Sequence, residues 1–388
     1  MKTNKLVSIS LLMILIQEYF AIAGVLEYHK LMSGVLIVLC FSIILFKKEW
    51  LKGKITKIVL CFLLYQLLCC LIHGRVYAPI YVDILETLCW PAVFLVTSYA
   101  FTRNFNGDNR KILLTIFVAA LFLNIVIYVK DFEMRMYVLH DDDVRSNLIF
   151  FIVCLIPFTA LIENNKKRYL IYLTILAFSV LSLKRTAMLV SFAAICVELF
   201  LNLDFKKNRG RNIFISVVFV LLGYIAISQI ESLLGLSVLD RFQAIGEDGG
   251  SGRDEIYKEV WNHIKQQPFE YLIFGRGHNG VRADGFISLS YSFETLSAHT
   301  DFLEVIYDYG IIGTILYVSF IIQIMKIAMF WKSRNLVYYR AMIISIIVFI
   351  LISATSHLIL YATYFTYIVT FWAFMYTEKI KYKALKTT

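Results

Sequence analysis

Hydrophobic residues in this chain come in long unbroken runs rather than in alternation or on one face. The runs cover about 6–26, 31–46, 58–73, 84–102, 112–129, 148–162, 170–183, 187–203, 212–230, 310–331, 340–356 and 358–377. Most approach the roughly 20 residues that a helix needs to cross about 30 Å of hydrocarbon. The alternating segments of roughly ten residues that mark a membrane β-barrel are absent from the sequence. The pattern predicts an all-α, polytopic membrane helical bundle with about twelve transmembrane helices.

The connections between runs are short, with one exception. The polar segment 231–309 is too long to be a passive connector. It divides the chain into 1–230, with nine spans, the loop 231–309, and 310–388, with three spans and a tail. Inside the loop, Ser251-Gly252-Arg253-Asp254 reads as a helix start, because a Ser and an acid three residues later satisfy free N–H groups of a first turn. Ile256, Tyr257, Val260, Trp261 and Ile264 then share one helical face until Pro268 stops it. Such a helix fits the membrane interface or the mouth of the bundle. A glycine-rich turn, Phe274-Gly275-Arg276-Gly277-His278-Asn279-Gly280, follows. A second helix start at Ala298-His299-Thr300-Asp301 leads into the tenth span.

Composition agrees with a lipid solvent: 59% of the 388 residues are hydrophobic and 17% charged, against about 25% charged in soluble domains. A net charge of +10 raises nucleic acid as a partner, but the basic residues punctuate the apolar runs and do not form one patch. Most of the 38 Lys and Arg fall in Met1–Lys5, Lys47–Lys57, Arg103–Lys111, Lys166–Arg168, Lys206–Arg211, Lys332–Arg340 and Lys379–Lys386. With that density on one side, the positive-inside bias predicts both termini in the cytoplasm and the 231–309 loop outside. The expectation is a multi-pass protein of the bacterial inner membrane with no nucleic-acid partner. The first run is long, carries Gln17 and Glu18 and has no small-residue cleavage site, so it reads as a retained helix. All seven cysteines lie in predicted spans without the spacing of a zinc site, which predicts neither disulfides nor a structural metal.

Several side chains are candidates for chemistry. All seven histidines map to the outer side in this topology, and histidine is the usual proton-transfer group near neutral pH. Lys184 and Arg185 occupy a very short outer junction with no acid next to them in sequence, where two cations invite an anionic ligand or simply snorkel to the interface. Arg145 is similar, but Asp141, Asp142 and Asp143 can neutralise it locally. Arg253 sits at a helix start, where the dipole already favours an anion and its planar fork suits phosphate oxygens. Arg276 is flanked by glycines that let backbone N–H groups approach a ligand. His299 stands at another helix start beside Asp301. Glu18 and Glu198 lie within spans and are the features that favour a transporter.

The order of these pieces resembles the O-antigen polymerase and O-antigen ligase family. The matching residues are Ser251-Gly252-Arg253, Trp261 with Gln267-Pro268, Phe274-Gly275-Arg276-Gly277, Ala298-His299-Thr300-Asp301-Phe302-Leu303-Glu304 and Tyr309-Gly310-Ile311-Ile312-Gly313, with Ser182–Leu189 upstream. The resemblance covers roughly 145–315, and the first four spans share only hydropathy with the family. It implies an integral-membrane glycosyltransferase that uses polyprenyl-diphosphate-linked oligosaccharides as donor and acceptor, without a nucleotide sugar, metal or other cofactor. Arg185 and Arg253 would then stabilise the diphosphate leaving group, with Arg145 and Arg276 assisting. Lys184, Gly275, Gly277 and His278 would line the substrate. His299 would take the acceptor proton, with Asp301 or Glu304 sharing that role or orienting the ring. Implied partners are membrane lipid and a flippase and chain-length regulator of the same pathway. A polymerase of repeat units is the leading reading, a ligase to a terminal acceptor the alternative, and a flippase or transporter the reading from another class.

Loop charge alone makes one expectation testable. A reporter fused after Gly250 reads as extracytoplasmic and one fused after Arg209 as cytoplasmic; swapped signals reverse the orientation.

Overall fold

The computed structural model describes residues 28–46, 53–73, 80–103, 108–138, 146–202, 253–287, 296–360 and 362–387. The expected runs 6–26 and 212–230, Glu18, Asp141–Asp143, Arg145, Ser251 and Gly252 lie outside them. Within them all regular structure is helical: α1 (Tyr28–Phe46), α2 (Lys54–His73), α3 (Ile80–Arg103), α4 (Asn109–Val138), α5 (Ile149–Val153), α6 (Ile156–Thr159), α7 (Asn165–Leu181), α8 (Arg185–Asn202), α9 (Arg253–Gln266), α10 (Phe269–Phe274), α11 (Gly280–Asp284), α12 (Asp301–Trp331), α13 (Leu336–Thr355) and α14 (Ala362–Thr387). Among the described residues, five helices are long and apolar enough to cross a membrane: those over Lys54–Ile72, Ile84–Arg103, Asn109–Arg135, Asp301–Trp331 and Leu336–Thr355.

α3 is the hub of one half of the bundle, packed against α1, α2 and α14, while α8 lies between α7 and α13 in the other. α12 joins the halves through α2 and α13. Their meeting place is an aromatic core. Trp90 lies 5.5 Å from Phe320 and 5.3 Å from Phe365, and Trp372 lies 5.2 Å from Phe349, mostly in tilted or edge geometry that suits aromatic quadrupoles. The Trp372 indole N–H donates to Ser345 Oγ at 2.9 Å.

The run 148–162 departs from the expectation of one span. It forms two short helices, α5 and α6, with Pro157 in the first turn of the second. Pro157 has no N–H to continue the ladder, which breaks the helix. Every residue from Ile149 to Leu161 is nevertheless buried, so the break sits inside the protein, where neighbouring helices surround it.

Helix starts lie earlier than hydropathy suggests, because side-chain caps draw charged residues into the first turn. Asn164 accepts from Lys167 N at 3.1 Å and Asn335 from Tyr338 N at 3.0 Å. Arg168 and Arg340 are thereby carried into the protein, where both guanidinium groups lie 2.9 Å from the Glu198 carboxylate. Arg168 also donates to the Ile162 carbonyl at 2.8 Å and Arg340 to that of Ala160 at 3.3 Å. Glu198, which favoured a transporter in the sequence, is thus the centre of a buried cross-link among α7, α8 and α13.

Over one end of the bundle, α9, α10 and α11 pack on the first turns of α12 around a second small core of Val260, Ile264, Val281, Ile287, Ala298 and Tyr307. The expected helix start at Ala298-His299-Thr300-Asp301 and the apolar run 310–331 that it leads into are joined in one helix kinked at Gly310 (φ 61°, ψ −163°). That kink admits a backbone crossing. A Cβ on Gly275 would overlap the Asp308 carbonyl, and one on Gly310 the Ile273 carbonyl, while both residues hold positive φ. Arg276 N donates to Tyr307 O at 3.0 Å, Gly277 N to Asp308 O at 2.8 Å, and the Tyr65 hydroxyl to Phe274 O at 2.8 Å. The glycine turn is therefore strapped to the kink.

Replacing Glu198 by Ala leaves Arg168 and Arg340 facing each other in the interior, which costs about 3–5 kcal/mol for a broken buried ion pair. Thermal unfolding of the purified variant reads this as a large drop in midpoint, and an unchanged midpoint removes the cross-link from the structural account.

Candidate active site

Four segments meet where α8 begins and α13 ends. The first is the Ser182–Thr186 turn, held by Ser182 Oγ, which donates to Ser179 O at 2.7 Å and accepts from Lys184 N at 3.3 Å. Leu183 takes φ 53° there, a left-handed conformation rare for a branched residue, and one that points to a constrained turn. The Thr186 hydroxyl donates to Thr355 Oγ1 at 3.1 Å, fixing the start of α8 on the end of α13.

The second segment is 298–301. Ala298 N donates to Glu304 Oε1 at 2.5 Å and the Thr300 hydroxyl to Ser353 O at 3.0 Å, leaving His299 between them at φ 55°. The third is the start of α9. The Tyr257 hydroxyl bridges the carbonyls of His299 (3.3 Å) and Ala354 (3.0 Å), and Arg253, one turn earlier, is close enough to act electrostatically on His299. The fourth is the 356–360 break between α13 and α14. The Asp301 carboxylate secures it by accepting from Leu358 N (2.8 Å), Ile359 N (3.0 Å) and Ser353 Oγ (2.6 Å). His357 then lies with its ring centroid 5.0 Å from that of His299.

The electrostatics follow from that crowding. Burial, followed by Arg253 and Lys184, lowers the pKa of His299 to about 4. His357 is pushed well below the usual imidazole range by burial, then by His299, Arg253 and Arg282. Both rings are neutral at pH 7, because loss of water and nearby positive charge each disfavour an imidazolium. A neutral imidazole among cations can accept a proton from an incoming hydroxyl, while the cations favour an anion beside it.

The structure sorts the residues singled out in the sequence. It brings Lys184, Arg253 and His299 together, with Arg185 heading α8 next to Lys184. It assigns Asp301 and Glu304 to the backbone that shapes the His299 loop. It engages Arg276 elsewhere: the guanidinium lies 3.2 Å from the Asp284 carboxylate and 4.4 Å above the Tyr271 ring, and Asp284 also accepts from the Tyr307 hydroxyl at 2.6 Å. His278 is buried, its Nδ1 is 3.1 Å from the Tyr309 hydroxyl, and burial lowers its pKa to about 4. Gly275 and Gly277 serve the crossing with α12, and Asp308 holds the same loop through Asn279 N (2.7 Å) and Gly280 N (2.8 Å). Sequence reasoning did not single out Tyr257, Arg282 or His357. The only signal for His357 was its place among the outer-side histidines.

The sequence profile of the O-antigen ligase family matches residues 169–318, which contain the Ser182–Thr186 turn, α9 to α11 and the His299 loop. No curated protein matches the chain.

The neutrality of His299 can be read directly. In spectra of 13C-labelled histidine in the nanodisc-embedded protein, the signal lost in His299→Gln titrates well below pH 5.5. A midpoint near the ordinary 6.5 would show that neither burial nor the cations act on it.

Proposed function

We propose that this chain is an integral-membrane glycosyltransferase that joins polyprenyl-diphosphate-linked oligosaccharide units at the outer face of the inner membrane. On this reading about twelve helices span the bilayer, both termini are cytoplasmic, and the 231–309 loop covers the outer mouth of the bundle. The observation that carries the proposal is the neutral His299 set between Arg253 and Lys184, in a segment that matches the O-antigen ligase family.

The acceptor sugar hydroxyl attacks the anomeric carbon of the donor, giving up its proton to His299. The bond from that carbon to the diphosphate oxygen breaks, and the electron pair leaves with the polyprenyl diphosphate. A diphosphate needs no protonation to leave but does need its charge held. Arg253 and Arg185 hold it with their forks and Lys184 with its ammonium, a division that fits the geometry of each head group. Direct attack inverts the anomeric configuration. Donor and acceptor are both lipid-linked in a polymerase, with a flippase supplying them and a chain-length regulator limiting the product.

The family description favours a second reading, in which the same chemistry transfers a finished chain to a terminal acceptor. Purified lipid-linked repeat units given alone to the enzyme in nanodiscs yield a ladder of lengths from a polymerase and no new bond from a ligase lacking its acceptor. Transport of those units into proteoliposomes with no glycosidic bond formed would overturn both.

In the ladder assay Arg185→Ala and Arg253→Ala lose on the order of 10²-fold in rate, the usual loss for a group that stabilises leaving-group charge. Lys at either position retains part of it. Because the base must be neutral and its pKa in the free protein is about 4, the wild-type kcat/KM is flat from about pH 5.5 to 8, across the ordinary histidine range. A rate that declines steadily over that range would make His299 a cationic ligand and not the base. Normal polymer from both Ala variants at matched abundance returns the arginines to the interface.

A further inference from the structure

We infer that His357, in the break between α13 and α14, is a positioning residue of the reaction site, its ring forming the inner wall that holds the His299 imidazole in place and away from water. The inference rests on the reading of His299 as the base, and extends the site to a segment beyond the residues that match the family profile.

His299 is the more exposed ring of the two and His357 lies behind it, only 3% exposed. The centroids are 5.0 Å apart with the planes tilted by 34°, within the separation at which aromatic faces pack. Neither ring is placed by local sequence. His299 is brought there by a left-handed backbone whose carbonyl accepts from Tyr257. His357 is brought there by Asp301, which binds the two N–H groups after it, and by the Tyr364 hydroxyl, which donates to its carbonyl at 2.6 Å. The two braced backbones, both tied to Asp301, therefore set one ring against the other.

The charges around the pair explain why the inner ring works as a wall and not as a relay. Arg253 from α9 and Lys184 from the turn before α8 face His299, and Arg253 and Arg282 from α11 face His357. From α12, Asp301 and Glu304 turn their carboxylates to backbone N–H groups. A proton taken by His299 gains nothing by moving inward to a more buried ring beside Arg282, so it returns outward to solvent. What His357 supplies is a flat, neutral, space-filling surface. Without it, water enters behind His299, the ring gains rotational freedom, and its pKa rises because the charged form is better solvated.

Three variants separate these roles in the full-length protein in nanodiscs. His357→Phe keeps the flat ring and lacks the nitrogens; His357→Ala loses the ring; His357→Gln keeps polarity without a ring. The expected result is near-normal turnover and an unchanged His299 titration for Phe. For Ala, and less fully for Gln, kcat falls about 10- to 100-fold, as for a displaced catalytic group, at unchanged KM. In both the His299 midpoint climbs towards 6.5, which brings an acid limb into the rate profile. Two results overturn the inference: full activity in all three variants, or loss in Phe and Ala alike with the His299 midpoint unmoved, which would give His357 a role through its own nitrogens. The titration is read by 13C-histidine signals without substrate. A failure of the glycosyltransferase reading, seen as no product from the wild type, is therefore distinguishable from a failure of the wall. Should the Ala variant not fold, the contrast of Phe with Gln carries the same test.

Discussion

Asp301 stands at the junction on which the site depends. Its carboxylate is buried at the first residue of α12 and accepts from Ser353 near the end of α13 and from two N–H groups of the break that follows. A chain that interrupts its helices inside a membrane protein must satisfy the exposed N–H groups there, since no bulk water does so. One acid meets that demand in the 356–360 break and ties the break to α12 and α13. The consequence is positional: with α12, α13 and the 356–360 break tied to one group, His299, just before the acid, and His357, just before the bonded N–H groups, have no choice but to meet.

The same use of a buried acid to fasten one segment to another recurs at two other places. Asp308 holds Asn279 N and Gly280 N, so the glycine turn cannot lift from the kink at Gly310. Glu198 holds Arg168 and Arg340, which in turn cap the Ala160 and Ile162 carbonyls left open where α6 ends. In the sequence only Glu198 of the three fell within an apolar run, Asp301 and Asp308 lying in the 231–309 loop. Their partners distinguish them: Glu198 binds cations and closes a helix bundle, whereas Asp301 and Asp308 bind N–H groups and shape loops. That difference removes the reason for reading Glu198 as part of a proton path.

What could be read from the sequence divides along the same line. The all-helical class followed from the length of the apolar runs, because hydrocarbon thickness dictates that length whatever the side chains do. Arg253 and His299 stood out because each sits at a helix start, where local pattern is informative, and Lys184 because it shares a very short junction with Arg185; the structure places the three together. The break within 148–162 was not read, although Pro157 marked it, because hydropathy alone sees only an apolar run. The attachment of Arg276 to Asp284, eight residues on, was hidden since the glycine turn brings the two together only when folded on α12. His357 was out of reach for a similar reason: the contact spans residues 299 to 357 and depends on Asp301 bonding a backbone that no side-chain motif records.

The cations serve two ends that pull in one direction. Burial, with Arg253 and Lys184 adding to it, lowers the pKa of His299, so the base is neutral and ready but weak. On the glycosyltransferase reading, a diphosphate bound by those cations cancels much of their field at the imidazole, and a nearby negative charge raises the pKa of a histidine. His299 therefore becomes a stronger base only when the donor is in place, and the imidazolium formed as the bond breaks lies next to the anion that is leaving. Charge moves from hydroxyl to diphosphate across a site whose fixed charges hardly change, the arrangement that minimises reorganisation in a low-dielectric surround. A carboxylate base in the same position would pair with Arg253 in the absence of substrate and block the diphosphate. An imidazole, neutral until used, avoids that pairing and leaves the cations to the donor.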